Sequence, residues 1–404
     1  MMSRPLEGVK VVDLTVYAAG PAAGRILADW GADVIKIEPP KGEPGRFSGA
    51  LLGMPNSEEE NPSYEFLNAN KKSLVLNLKD PKGLEIIDKL LAQADVFVTS
   101  NRTQALERLG LDYEAMSKKH PHIVWGQING YGDLGPAAEN AGFDTVAFWA
   151  RTGAMMDFAD AEANLPNTSI IAFGDNTSAC SMAAGICAAL YRKQKTGLGD
   201  KVMVSLYGQA LFNSGVVVAS TQYGDVYPKT RKEVGSPLVN SYRCKDGEWI
   251  FLSAIDYSRY YEVICKLIDR EDLINNEKFN TVKVARVNSR ELVTILDEGF
   301  LKYNRDEWMD LLQKADIAHD RILHFKDAHK DEQALANGYV YPYQNANGNV
   351  TYMAATPVKF GKIEAPDHQP SPLLGQHTKL VMKEIGYSDQ EIEQYITDKV
   401  VVSK

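Results

Sequence analysis

The stretch from Ile171 to Leu206 constrains the fold more than any other part of the chain. Between Ala179 and Leu190 every residue except Ser181 is small or apolar. A helix here is apolar on all of its faces, so we expect it to lie inside the protein. A turn and a strand-like run follow, which predicts a helix-to-strand unit. Asp175 stands at the entrance of this helix.

Asp175 has two interpretations from its position alone. An acid before a helix commonly caps it by accepting bonds from unpaired backbone N–H groups. The alternative is a catalytic carboxylate whose ionised form is favoured by the helix dipole. The rest of the sequence is needed to distinguish a helix cap from a catalytic residue.

The composition is that of a folded protein with a large core. The chain has 404 residues, of which 44% are hydrophobic and 24% are charged, which suits two or three domains. Its net charge of -9 disfavours a nucleic-acid surface. No run reaches the roughly 18 apolar residues of a membrane span, and Glu7 and Lys10 interrupt the segment in which a signal peptide would begin. We expect a cytoplasmic protein without nucleic-acid or membrane partners.

The metal-ligating residue types show no pattern that indicates a metal or a disulfide. Cys180 and Cys187 fall in the apolar helix, whereas Cys244 and Cys265 lie far apart without Cys-x-x-Cys spacing. All four are expected to be small core residues. The seven histidines form no His-x-x-x-His pair, so no metal site is predicted.

The amino-terminal part of the chain predicts a parallel α/β sheet. Residues 9–38 read as strand, helix and strand, with Pro21 suited to the first helical turn and Gly31 to the helix exit. The loop over 15–20 lacks Gly-x-Gly-x-x-Gly, which disfavours NAD or FAD chemistry. A later strand ends at a Gly-rich loop, 129–132, and such loops carry ligands in parallel sheets.

The pattern of elements also predicts a division into domains. A large α/β domain is expected over 1–206, followed by a linker over 207–240 that lacks α/β alternation. A smaller α+β domain is expected over 241–330, beginning with a hairpin whose turn is Asp246-Gly247. Residues 331–404 then form a return linker and a carboxyl-terminal segment.

Ten short blocks in the correct order make the chain resemble the family III CoA-transferases, also called the CaiB/BaiF family. The resemblance covers nearly the whole chain. The blocks are 6–15, Gly20-Pro21, 31–38, 70–73, 105–110, Gly130-Tyr131, Gly142-Phe143-Asp144, Gly174-Asp175, 195–199 and 372–378.

The resemblance implies a fold, a partner and a reaction. Family members form interlocked homodimers in which each chain is an open ring of a Rossmann-like large domain and a smaller domain. The carboxyl-terminal segment is expected to return to the large domain. The implied reaction moves CoA from an acyl-CoA to a carboxylic acid, with Asp175 as the nucleophile. CoA is then a co-substrate, and no permanently bound cofactor or metal is implied.

The resemblance also implies CoA contacts. Lys71, Lys72 and Arg108 resemble positions that meet the CoA nucleotide and its phosphates, which suits their charge. Tyr131 resembles a tyrosine beside the pantetheine. Backbone N–H groups near the helix start are candidate donors to the oxyanions of the reaction.

Some positions depart from the family pattern. A His-x-Gln sequence of other members is replaced by Val16-Tyr17-Ala18, and a lysine is replaced by Asn129. The Gly-rich flap of formyl-CoA transferases has no counterpart between residues 227 and 242. The sequence therefore does not indicate what covers the site.

Within the family, the chain is most similar to enzymes of amino-acid-fermenting anaerobes. These load CoA onto (R)-2-hydroxy acids such as 2-hydroxyisocaproate or phenyllactate, with an enoyl-CoA as donor. Phe143, Phe148, Trp149 and the Met155-Met156 pair could line an apolar acyl pocket, or could be core residues. Carnitine, oxalate or bile-acid substrates stay open. An α-methylacyl-CoA racemase is the nearest competitor, but Phe143 replaces the histidine that a racemase needs as its second acid/base.

Overall fold

The structure is a computed structural model, and it describes residues 4–163, 165–363 and 368–404. These residues form two compact units. The first comprises 4–154, 169–218 and 332–404, and the second comprises 155–168 and 219–331, each with the gaps given above. The chain therefore leaves the first unit twice and returns to it twice. The domain boundaries expected from the sequence stay a prediction.

The strands are short and are numbered in chain order. They are β1 (Lys10–Leu14), β2 (Asp33–Glu38), β3 (Lys72–Leu76), β4 (Val96–Thr99), β5 (Val124–Asn129), β6 (Lys201–Ser205), β7 (Val239–Arg243), β8 (Trp249–Ser253), β9 (His319–Arg321), β10 (Val340–Gln344), β11 (Val350–Ala354) and β12 (Val401–Val402).

The helices vary from single turns to one long element, α8. They are α1 (Ala19–Asp29), α2 (Gly45–Ser48), α3 (Pro62–Asn68), α4 (Pro81–Leu91), α5 (Thr103–Leu109), α6 (Tyr113–Lys119), α7 (Ala154–Asp157), α8 (Phe173–Thr196), α9 (Leu206–Asn213), α10 (Gly215–Thr221), α11 (Tyr257–Leu267), α12 (Val282–Val287), α13 (Ser289–Phe300), α14 (Arg305–Lys314), α15 (Glu332–Ala336), α16 (Thr378–Glu384) and α17 (Asp389–Thr397). A π-helix covers Asp144–Ala150, and 3-10 turns cover Gly49–Leu52, Glu271–Leu273 and Phe325–Lys330.

The first unit is built on one sheet in the order β12-β3-β2-β1-β4-β5-β6. β1 to β6 run parallel, whereas β12 pairs antiparallel with β3 at the edge. β1, α1 and β2 are the unit predicted over 9–38, with Pro21 in the first turn of α1 and Gly31 after its end at a φ of 102°. The predicted α/β fold with a parallel sheet is confirmed, and β12 makes the sheet mixed.

Strands β1 to β5 are largely buried because helices cover both faces of the sheet, whereas the edge strand β6 is only partly buried. Val12, Ile35, Leu74, Phe97 and Trp125, one from each of five neighbouring strands, belong to a single apolar cluster that also includes side chains of α4, α16 and α17. Burial of each large apolar side chain stabilises the fold by about 1.5–3 kcal/mol. Such strands read as short Val- and Ile-rich runs, which is why the sequence indicated a parallel sheet.

The second unit has its own sheet and core. β7, β8 and β9 are antiparallel, and β7 and β8 form the predicted hairpin, with Gly247 in its turn at a φ of 86°. Helices α11 to α14 supply the other half of a separate apolar cluster. In this cluster the Phe300 ring lies 4.6 Å from the Tyr242 ring and 4.5 Å from the Trp308 ring, centroid to centroid.

Helix α8 is only half buried within one chain, which corrects the expectation that all of its faces lie inside. The buried residues recur every three or four positions and include Ala179, Met182, Ala183 and Ile186. Cys180 on the opposite side is exposed. Cys187 is partly buried, so of the four cysteines only Cys244 and Cys265 are buried core residues as predicted.

A set of charged side chains is buried beneath the loop that follows β1. The Lys71 ammonium lies 2.8 Å from an Asp13 carboxylate oxygen, and both side chains are fully buried. Lys36 pairs with Glu43 at 3.4 Å, also at zero exposure, and donates to the Thr15 carbonyl at 3.0 Å. Burial alone would raise the pKa of Asp13, but Lys71 and Lys36 hold it below its usual range.

A second buried pair extends this set toward the next loop. Glu38 accepts two bonds of 2.7 Å from the Arg46 guanidinium, the bidentate geometry that such pairs favour. It also accepts bonds from Tyr64 at 3.2 Å and Ser73 at 2.9 Å. Because every charge has a partner, the burial penalty is offset, and β1, β2 and β3 are fixed to one another.

We expect Lys71→Met to lower the free energy of unfolding by about 3–5 kcal/mol, because it removes the ammonium that contacts the buried Asp13 carboxylate. Lys72→Met is the matched control. Lys72 is partly exposed and pairs with Asp33 and Glu384 at the surface, so we expect a change below about 1 kcal/mol. Urea unfolding of both variants measures the difference. Equal losses would contradict this assignment of the buried pair.

Candidate active site

A cleft of about 750 Å³ opens in the first unit where three neighbouring strands end. Its walls are the loops after β1, β4 and β5, which include Tyr17, Arg102 and Gly130. In the sheet order, β1 and β4 are the neighbours at which the chain reverses direction across the sheet. Ligands of open α/β sheets bind in the crevice at this point. Asp175, in the first turn of α8, also lines the cleft.

Asp175 is not the cap that its position suggested. Helix α8 begins at Phe173 with Ala172 as its N-cap, and no side chain caps it. Ala172 has a φ of 61°, a left-handed conformation that costs free energy for any residue with a Cβ. Asp175 is therefore the third residue of the helix, and its carboxylate faces the cleft. Burial, followed by the charge of Asp144, raises the pKa of Asp175 to about 7.

Asp144 is the functional candidate to which no sequence pattern assigned a role. It is the first residue of the π-helix and is only 5% exposed. Neither of its carboxylate oxygens has a partner at hydrogen-bonding geometry. Burial raises its pKa to about 6, against the opposing effect of the backbone N–H groups of Gly174, Ala172 and Phe173. The N–H groups expected to serve as oxyanion donors therefore face Asp144 instead.

Gly174 is what allows Asp144 to approach the helix so closely. A Cβ at Gly174 would lie 2.3 Å from Asp144 Oδ1 and 2.3 Å from Cγ of Phe148. Phe148 and Trp149 are buried and contact the Phe173 ring, with centroids 6.4 and 5.8 Å away. These two aromatic residues are core residues under α8, which was one of the two interpretations of them.

The loop after β1 is held in a strained conformation at the edge of the cleft. Tyr17 has a φ of 65°, and its backbone N–H donates to the buried Glu43 at 3.0 Å. Its ring meets the ring of Phe143 edge to face, with centroids 5.4 Å apart. Both rings are about half exposed, at 41% and 52%. The pair forms an apolar border of the cleft that Asp175 also lines.

Two cations line the cleft. Arg102 follows β4, and its guanidinium is exposed. Lys201, at the start of β6, pairs with Asp133 at 2.6 Å and lies 5.7 Å from the centroid of the Trp125 ring. No sequence pattern predicted either residue as a ligand contact. For Arg102 the available signal was its position just after a strand of the parallel sheet.

The four predicted CoA contacts do not line the cleft. Lys71 donates to Asp13, to the Pro21 carbonyl at 2.7 Å and to Asn68 at 2.9 Å. An ammonium has three donors, and all three of Lys71 are engaged within the protein, so its contact with CoA stays a prediction that this geometry does not support.

The other three predicted contacts lie near the surface. Lys72 is engaged with Asp33 and Glu384. Arg108 is exposed on α5, and Tyr131 is partly buried beneath the Arg151 guanidinium, 5.2 Å from its ring centroid. Contacts of Lys72, Arg108 and Tyr131 with CoA stay predictions.

Among the residues that the structure describes, no group of three or more His, Cys, Asp or Glu side chains could hold a metal ion. None of the helices formed by residues 4–163, 165–363 and 368–404 is long and apolar enough to cross a membrane.

A parallel sheet with a cleft at its switch point is typical of an α/β protein that binds a ligand there, and Asp175 lines this cleft. The chain belongs to CoA-transferase family III, whose family model matches residues 6–378. It is therefore a CoA-transferase, as the ten sequence blocks predicted.

Named relatives and a solved structure agree with this family. The (R)-2-hydroxy-4-methylpentanoate CoA-transferase of Clostridioides difficile is 39% identical, over 98% of this chain and 99% of that enzyme. The cinnamoyl-CoA:phenyllactate CoA-transferase of Clostridium sporogenes is also 39% identical, over 98% and 97% of the two chains. A CaiB/BaiF family protein from Brucella suis superposes with a TM-score of 0.81 at 25% identity, over 95% and 100%.

We expect Gly174→Ala to lower CoA-transferase activity by about tenfold or more, because the first turn of α8 must move away from Asp144 and Phe148. Gly235→Ala is the control, since nothing lies within 4 Å of a Cβ at that position. Steady-state rates and melting temperatures of both variants give the comparison. Wild-type activity in Gly174→Ala would contradict the view that activity requires the close approach of Asp144 to the first turn of α8.

Proposed function

We propose that this enzyme transfers CoA from a 2-enoyl-CoA to an (R)-2-hydroxy acid, with Asp175 as the nucleophile. The names of the two relatives at 39% identity support this class of substrates. The observation that carries the role of Asp175 is its place in the cleft together with its raised pKa. A carboxylate whose pKa is about 7 is more basic, and hence more nucleophilic, than an ordinary aspartate at the same site.

The proposed reaction begins with attack on the donor thioester. An oxygen of Asp175 bonds to the thioester carbonyl carbon, the carbon–sulfur bond breaks, and CoA leaves as a thiolate. The thiolate then attacks the Asp175 carbonyl of the mixed anhydride, which releases the donor acid and forms an aspartyl-CoA thioester. The thioester bond is thereby conserved on the enzyme.

The second half of the reaction reverses these steps with the acceptor. The carboxylate of the 2-hydroxy acid attacks the aspartyl-CoA thioester. CoA leaves as a thiolate, and a second mixed anhydride forms between Asp175 and the acceptor acid. The thiolate then attacks the acceptor carbonyl, which forms the new acyl-CoA and restores the Asp175 carboxylate. One acid is exchanged for another, so the reaction needs no external energy source. Water must be excluded, because it would hydrolyse each intermediate.

The cleft has the size that a CoA ester requires, because its volume of about 750 Å³ lies in the range of ligand sites. Arg102 lines the cleft and is placed to attract the CoA phosphates, and we add Lys72, Arg108 and Tyr131 as contacts inferred from the family resemblance. The apolar border of Tyr17 and Phe143 suits a branched or aromatic acyl group.

We also propose the interlocked homodimer of open rings that the family resemblance implies. Support comes from apolar side chains that one chain leaves exposed on α9 and α10, such as Phe212 at 83% and Val216 at 85%. The exposed side of α8 adds Cys180 to this surface. A role in amino-acid fermentation and a cytoplasmic location stay predictions.

We expect light scattering to give twice the mass of one 44.7-kDa chain. Interlocked rings cannot separate without opening one chain, so isotopically labelled and unlabelled dimers should not exchange subunits under native conditions. Native mass spectrometry after mixing measures the exchange. Rapid formation of mixed dimers would contradict interlocking, and a monomeric mass would contradict the dimer.

We expect brief exposure of the enzyme to cinnamoyl-CoA or 4-methylpent-2-enoyl-CoA to leave a CoA adduct on the peptide that contains Asp175. An (R)-2-hydroxy acid should discharge the adduct, and carnitine or oxalate should not. Asp175→Ala removes the attacking oxygen and should abolish both adduct and turnover. Asp200→Ala, just beyond the other end of α8, is the control. Mass spectrometry of the digested protein locates the adduct.

Retained turnover in Asp175→Ala would contradict the assignment of the nucleophile. Discharge by oxalate or carnitine instead would identify another acceptor class. Deuterium exchange at the α-carbon of a 2-methylacyl-CoA, without formation of any adduct, would instead support activity as an α-methylacyl-CoA racemase.

A further inference from the structure

Asp144 carries an inference about how the nucleophile is kept reactive. A carboxylate that is 95% buried without a hydrogen-bonded partner is costly to the fold. The contrast with Asp13 is direct, because that buried carboxylate has an ammonium at 2.8 Å and two bonds from Thr15. Among the described residues no cation pairs with Asp144, and a buried carboxylate of this kind beside a cleft is typical of a functional group rather than of a stabilising one.

The position of Asp144 determines what it can act on. Its carboxylate lies beneath the first turn of α8, as close as the missing Cβ of Gly174 allows. The backbone N–H groups of Ala172, Phe173 and Gly174 face it and favour its ionised form. These are among the N–H groups that a helix leaves without a partner. The positive amino-terminal end of the α8 dipole therefore faces Asp144, although Asp144 is not part of that helix.

Asp175 sits on the same turn but does not receive those contacts. No hydrogen bond to its carboxylate is formed by the residues that the structure describes, and α8 has no side-chain cap. A carboxylate that accepts helix N–H bonds becomes less basic and less nucleophilic. These donors face Asp144 rather than Asp175, so the Asp175 oxygens stay free to attack.

We propose that Asp144 is a positioning residue for the nucleophile: the first N–H groups of α8 face it rather than Asp175, and it places a negative charge near Asp175. The inference rests on the proposed role of Asp175. When Asp175 attacks a thioester, its negative charge passes to the sulfur that leaves as the carbon–sulfur bond breaks. The repulsion between the two carboxylates then ends, so acylation of Asp175 is favoured over the resting state.

Other charged groups around α8 are engaged elsewhere. On α1, Arg25 pairs with Asp29 at 3.4 Å. On β6, Lys201 is bound to Asp133, and after the π-helix the Arg151 guanidinium lies over the rings of Tyr131 and Tyr207. Basic residues of α8 itself, Arg192, Lys193 and Lys195, lie at its far end.

No charge on α9 or β5 contributes either. The only ionisable side chain on α9 is Tyr207, and β5 contains none. Among the described residues, the charge that acts on Asp175 is that of Asp144.

The test is the pH dependence of adduct formation in a single turnover with cinnamoyl-CoA. Only ionised Asp175 attacks, so the wild-type rate should rise with pH through a midpoint near its pKa of about 7. In Asp144→Asn we expect the midpoint to fall by about one pH unit and the rate above it to fall about tenfold. Asp144→Glu keeps the charge and should keep the midpoint. Asp200→Asn removes a carboxylate beyond the far end of α8 and should change neither quantity.

Stability separates a positioning role from a structural one. Asp144→Asn removes a buried charge while it preserves shape, so its melting temperature should equal or exceed that of the wild type. A wild-type midpoint in Asp144→Asn, or a lowered melting temperature with the midpoint unchanged, would overturn the inference while the nucleophile stands. Formation of the CoA adduct by Asp175→Ala would contradict the assignment of Asp175 as the nucleophile and, with it, the role proposed for Asp144.

Discussion

The buried pair of Lys71 and Asp13 is the contact on which the geometry of the cleft depends. Asp13 lies near the end of β1, and Lys71 immediately precedes β3. Because neither charge can be buried alone, the pair fixes both strands relative to each other. Lys36 then joins Asp13 to Glu43, and Glu43 holds the backbone of Tyr17 in its left-handed conformation. A strained loop at the cleft is thus stabilised from beneath by charges that never meet solvent.

Within the first unit, the pKa values of buried carboxyl groups are shifted in two opposite directions. Asp13 and Glu38 have cationic partners that lower their pKa values despite burial. For Asp144 and Asp175, burial raises the pKa, and the second carboxyl raises that of Asp175 further. The first arrangement stabilises the fold, and the second leaves a carboxyl group with a raised pKa in the cleft. Environment rather than residue type therefore decides which aspartate holds the structure and which is available for chemistry.

The sequence predicted most of the fold, and the reasons are local, whereas the role of Asp175 as the nucleophile stays a prediction that rests on the family resemblance. Apolar runs and punctuating residues such as Pro21 and Gly31 revealed the first βαβ unit. The resemblance also implied that Lys71 contacts CoA, and only the tertiary fold shows that Asp13 reaches its ammonium. Asp144 was missed because its role depends on a close approach beneath α8. Periodicity likewise could not show which side of α8 one chain leaves exposed.

The pairing of β12 with β3 has a consequence for how the chain folds during synthesis. Thr378 bonds to Val75, 303 positions earlier, and β12 covers the open edge of the sheet beside β3. The amino-terminal strands therefore emerge from the ribosome long before their partner exists, with an unpaired edge that other chains could join. Contacts of such high sequence separation form slowly. The first unit closes only after the second has been made, so the order of translation sets the order of assembly.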